Sequence, residues 1–136
     1  MMDDLVELLH RDNHTLVVAN GEIYTFHGRG ISDLYKLFRE DPGFLKGASV
    51  ADKVVGKGAA ALMILGGVEE LYADIASEPA LCLLKTAPIR VSYKEKVPQI
   101  RNRTQTDCCP VEKLCRDAET AEKCLPLIKG FMNSIK

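Results

Sequence analysis

Residues 47–58 read Gly47-Ala48-Ser49-Val50-Ala51-Asp52-Lys53-Val54-Val55-Gly56-Lys57-Gly58, and residues 73–82 read Ala73-Asp74-Ile75-Ala76-Ser77-Glu78-Pro79-Ala80-Leu81-Cys82. Both stretches read as a strand running into a helix start. In the first, Ser49 is followed three residues later by Asp52, a capping arrangement in which the hydroxyl accepts a first-turn N–H and the carboxylate reaches back. This predicts a short strand over residues 44–48 and a helix over residues 50–65, ended by Gly66-Gly67. In the second, Ser77 is the N-cap, Pro79 is tolerated in the first turn, and Glu78 suits the positive helix end. The helix it opens runs to residue 85.

Outward from these two starts the pattern continues. Leu5, Leu8 and Leu9 share one face of a short helix over residues 3–12. Two alternating runs, residues 15–19 and 22–26, flank Asn20-Gly21, which predicts a hairpin on a type I′ turn. Ser32 is placed to cap a helix carrying Leu34, Tyr35, Leu37 and Phe38. Residues 70–76 and 89–96 read as strands, and a last helix is expected from residue 110, interrupted at Pro126. The helix after Ser49 is apolar nearly all round from Ala59 to Leu65, as a buried helix is.

Strands alternating with helices after a hairpin imply an α/β fold: a three-layer α/β/α sandwich on a mixed sheet of about five strands. The whole chain, residues 1–136, is expected to form one domain. Both helix starts would then open at the carboxyl edge of the sheet, where open α/β sheets bind ligands. Two adjacent helix N-termini favour an anion.

The layout resembles the cytidine-deaminase-like fold. That family carries His-x-Glu or Cys-x-Glu at one helix start and Pro-Cys-x-x-Cys at the next. Glu78-Pro79 matches the Glu-Pro before the first cysteine, and Val50-Ala51-Asp52 falls where His-x-Glu would be. The metal ligands are missing. Val50 cannot bind zinc, Ala80 and Leu83 stand in place of the two cysteines, and Cys82 is out of register by one residue, about 100° around a helix. Zinc deamination is therefore not expected, and neither a metal nor a cofactor is. More narrowly, Gly47 to Gly58, Ser77-Glu78-Pro79 and Cys109-Pro110 resemble a small prokaryotic family of unknown function that has this fold without the zinc site.

Two readings attach to each remaining candidate. Asp52 is either a cap or a ligand-facing acid/base group. Lys53 and Lys57, four apart, would share a helix face and either snorkel or line a cleft. Cys109 precedes Pro110 at what reads as a further helix start, where the helix dipole lowers a thiol pKa, so it is either a nucleophile or an inert thiol. His10, His14 and His27 read as surface or loop residues.

Composition narrows the function classes. A net charge of -1 gives no global field toward nucleic acid, and no apolar run is long enough to span a membrane. The N-terminus has no basic region of the signal-peptide kind, and five cysteines, an odd number, make a poor disulfide framework. A cytoplasmic protein with reduced thiols is the expectation, with homo-oligomerisation left open. Residues 85–103 are locally basic, either a protected edge strand or a surface for an anionic partner. The leading functional expectation is a small anionic metabolite or nucleotide held between the two helix starts by Ser49, Asp52, Lys53, Lys57, Ser77 and Glu78. Thiolate catalysis by Cys109 and a non-catalytic interaction module are the alternatives.

Overall fold

Pro42 opens a single helical turn that Gly47 (φ 77°) turns into a central strand. The structure is a computed structural model, and it describes residues 2–28, 31–98 and 114–134. In chain order its elements are α1 (Met2–Arg11), β1 (Leu16–Asn20), β2 (Glu22–Phe26), α2 (Ser32–Glu40), α3 (Pro42–Leu45), β3 (Ser49–Val55), α4 (Lys57–Gly66), β4 (Glu70–Ser77), α5 (Glu78–Leu84), β5 (Arg90–Val97) and α6 (Ala121–Ser134). The five strands form one mixed sheet in the order β2-β1-β3-β4-β5. β1 runs antiparallel to β2 and β3, whereas β3, β4 and β5 are parallel. An α/β fold with a mixed five-stranded sheet thus follows the expectation.

The central strands of the sheet are apolar on both sides. Val17, Ala19 and Ala51 pack with Leu5 and Leu9 of α1. Their alternate neighbours Leu16, Val18 and Val50 join the larger cluster with α2, α3, α4, α5 and α6. This period of two lets one strand serve two cores. α4 is buried from Gly58 to Met63, as its all-round apolar sequence requires. Gly67 ends it in the left-handed region (φ 84°), and the Val68 N–H donates to the Met63 carbonyl, so the last turn closes as a Schellman motif.

The largest departure from the sequence reading lies between residues 42 and 57. Where a strand was expected over residues 44–48 there are the end of α3 and a turn, and the expected first part of the helix is β3. Val50, Val54 and Val55 are β-branched and fit a pleated strand between two neighbours better than a helix. Gly56 is therefore the N-cap of α4 rather than a residue inside it. The Ser49–Asp52 capping pair does not exist: Ser49 begins β3, opposite Ala19 and Glu70.

Smaller departures have equally local causes. Asn20 keeps an extended backbone, since only Gly21 of that pair has positive φ, and the Asn20 amide donates to the carbonyls of Phe44 and Lys46 at 2.9 Å each. The hairpin is consequently tighter than a type I′ turn, with Asn20 opposite Glu22. Ser32 is the first residue of α2 and not its cap. α6 begins at Ala121, where the Thr120 hydroxyl accepts from the Lys123 N–H, and it continues through Pro126. The helix start expected at Pro110 lies outside the described residues. Among the described residues no helix is long and apolar enough to cross a membrane.

Candidate functional site at the carboxyl edge

Val55 of β3 lies opposite Ala76 of β4 in parallel register, so Gly56-Lys57 and Ser77-Glu78 leave the sheet side by side. β1 is antiparallel to β3 with Leu16 opposite Asp52, which brings the start of β1 and the end of β2 to the same edge. Residues 12–15, 26–28 and 52–57, remote in sequence, therefore meet at the carboxyl edge of the parallel strands.

The six residues expected to hold a ligand separate into three places. Ser49 lies at the opposite end of β3, about 20 Å away for a strand of this length, and takes no part. Lys57 and the Ser77-Glu78 pair stand at the two helix starts. Ser77 is fully buried and caps α5 as expected, its Oγ accepting from the Ala80 N–H at 3.2 Å. Glu78 is exposed in the first turn. Lys57 donates from Nζ to the Arg116 carbonyl at 3.1 Å, tying the first turn of α4 to the segment before α6. Asp52 and Lys53 sit late in β3 instead of in a helix, so Lys53 and Lys57 do not share a helix face. Lys53 Nζ reaches back to Asn13 Oδ1 at 2.6 Å. Cys109 lies outside the described residues.

The edge also carries groups that the sequence reading set aside. His14, expected at the surface, is 8% exposed. Its Nδ1 is 2.9 Å from His27 Nε2, and its Nε2 faces Asp12 Oδ2 at 3.7 Å. Within the imidazole pair one nitrogen must donate and the other accept. Further along the α1 side, Asp74 Oδ1 accepts from both His10 Nε2 and the Tyr72 hydroxyl, each at 2.7 Å. The signals for these contacts were faint: a four-residue spacing between His10 and His14, and the alternation that puts Tyr72 and Asp74 on one side of β4.

Asp52 is the most perturbed acid of the cluster. Burial pushes its carboxyl up to about 8, the Val54 and Lys53 N–H groups pull it down, and the Asp74 charge adds a smaller rise. Burial, followed by the bond to Asp74, pushes the Tyr72 phenol up to about 12. A carboxyl that keeps its proton near neutral pH can donate a hydrogen bond or a proton, and such groups concentrate at functional sites. The edge thus combines an acid with a raised pKa, an imidazole pair, a lysine and the start of a helix. Among the described residues no group of three or more His, Cys, Asp or Glu side chains is placed to hold a metal ion.

Comparison with known proteins agrees with the resemblance to a family of unknown function. Residues 4–132 match a family described as a domain of unknown function, DUF1893. The crystal structure of a DUF1893 family protein from Thermotoga maritima superposes with a TM-score of 0.88 at 25% identity, over 95% of this chain and 88% of that one. No curated protein matches the chain.

Proposed function

The chain belongs to the DUF1893 family, and on that premise we propose that it binds a small anionic metabolite, such as a nucleotide, at the carboxyl edge of β3 and β4. The observation that carries this reading is the convergence of Asp12, His14, His27, Asp52, Lys53 and Lys57 on one edge through the register of β1, β3 and β4. An anion there meets the first-turn N–H groups of α4, whose cap Gly56 brings no side chain of its own. Lys53 adds positive charge, the His14–His27 pair offers ring nitrogens for hydrogen bonding, and the Asp52 carboxyl orients a hydroxyl or carbonyl of the ligand.

The strand order with β1 antiparallel, and helices in contact with both sheet clusters, support a three-layer sandwich of the cytidine-deaminase-like kind. Under that reading Gly56-Lys57-Gly58, and not Val50-Ala51-Asp52, occupies the helix start where a deaminase carries its His-x-Glu. Neither glycine nor lysine replaces that motif, which favours a cleft that works without zinc.

A thermal-shift screen of nucleoside monophosphates and sugar phosphates tests the proposal, with His27→Ala and Lys57→Ala alongside. Stabilisation by at least one anion, reduced in both variants, is the expected result. Absence of any shift, or a shift both variants retain in full, would overturn it.

A further inference from the structure

A groove of about 480 Å³ runs between α5 and the edge strand β5. Its floor is apolar, with Leu81 and Leu84 from the helix facing Val91 and Tyr93 from the strand, and its volume is that of a small-molecule pocket. Lys85 and Lys96 line it, against one carboxylate, Glu78. Tyr93 remains 44% exposed, an aromatic ring that the fold leaves half uncovered. No acceptor among the described residues holds either ammonium. Two ammonium groups without an acceptor among the described residues, over an apolar floor, form an amphipathic surface with surplus positive charge.

The geometry points to a second binding site here, for an organic anion with a flat apolar body and an acidic group. The body lies along Val91 and Tyr93, where it removes apolar surface from water, and the acid meets a lysine ammonium in a charge-assisted hydrogen bond. Charge selects this occupant over a second copy of the chain. β5 is the outer strand of the sheet, and pairing it with itself would crowd two copies of Arg90, Lys94 and Lys96 along one edge, with Glu95 as the only acid of each strand. The site is distinct from the carboxyl-edge cluster: of the residues lining it only Glu78 belongs to a helix start discussed above.

The test titrates the full chain with naphthyl phosphate and with naphthol as the uncharged analogue, following backbone amide shifts by NMR. Naphthyl phosphate is expected to move the amides of Cys82, Val91 and Tyr93. The double charge reversal Lys85→Glu/Lys96→Glu is expected to weaken it about tenfold or more and to leave the weaker binding of naphthol unchanged. Lys96→Gln and Tyr93→Ser, both at exposed positions, repeat the measurement should the charge reversal disturb folding. The inference is overturned by absence of binding, by equal affinity in the variants, or by shifts confined to residues 56–58 and Ser77. That last pattern would support the carboxyl-edge site instead, so the two proposals fail separately.

Discussion

Lys53 Nζ lies 2.6 Å from Asn13 Oδ1, which joins the late part of β3 to the turn that follows α1. Asn13 is the only non-glycine with positive φ (55°) among the described residues, so this contact holds a loop whose backbone is already in an unusual conformation. Lys53→Ala is expected to cost about 0.5–1.5 kcal/mol. Asn13→Gly loses the same bond but relieves the backbone, and should cost less than Asn13→Ala. Urea denaturation of the three variants checks the order; equal losses for the glycine and alanine variants would remove the backbone argument.

Asp52 makes stability depend on pH. An acid whose folded pKa, about 8, exceeds its ordinary value of 3.8 binds more protons folded than unfolded between those limits. Stability therefore falls as pH rises through that window and levels off above it. Asp52→Asn keeps the shape and cannot ionise, so it should flatten the profile and exceed wild type by roughly 1–3 kcal/mol at the alkaline end. Chemical denaturation at a series of pH values measures both curves, and parallel curves would assign the pH dependence to other groups.

Gly66 faces Leu45 so closely that an added Cβ would lie 2.8 Å from Leu45 Cδ1 and 2.9 Å from Leu45 Cβ. Leu45 is fully buried and has little room to yield. Gly66→Ala is expected to destabilise by about 1–3 kcal/mol through overpacking. The Leu45→Ala change should cost less in the Gly66→Ala background than in wild type, because the two side chains compete for one space. A double-mutant cycle with additive losses would contradict this.

The cysteines should separate by access. Cys82 is exposed on α5, while Cys115 and Cys124 are buried, and burial raises the Cys124 thiol pKa despite the lowering by Cys115 and Lys57. Iodoacetamide at neutral pH should label Cys82 well before Cys115 and Cys124 in the folded chain, with the difference abolished in urea. Mass spectrometry of the digested protein reads each site. The same experiment reports on Cys109: labelling well below pH 8, faster than Cys82, is the result that the thiolate reading requires.

Much of the architecture was legible because it is written in local periods. The hairpin pattern around Gly21, the Ser77 cap with Pro79 behind it, and the all-round apolar run of α4 all appear where residue type and spacing place them. The misreading of residues 49–55 has a specific cause. Ser49 and Asp52 imitate a capping box, and a short apolar run is compatible with either a buried strand or a buried helix. The three valines were the counter-signal, and the central place between β1 and β4 decided it.

The candidate site was less legible, for a physical reason that applies to each member. The sequence by itself determined that polar groups would gather where parallel strands end at helix starts, because strand–helix alternation and cap chemistry are local. Only the tertiary structure decided which groups those are. His14 meets His27 because β1 and β2 pair, Lys53 meets Asn13 because β1 returns along β3, and Asp52 is half-buried because it lies between Leu16 and Ala73 of the neighbouring strands. Strand register brings residues distant in the chain within hydrogen-bond reach, and it is set by the fit of whole apolar faces rather than by the polar residues that end up together.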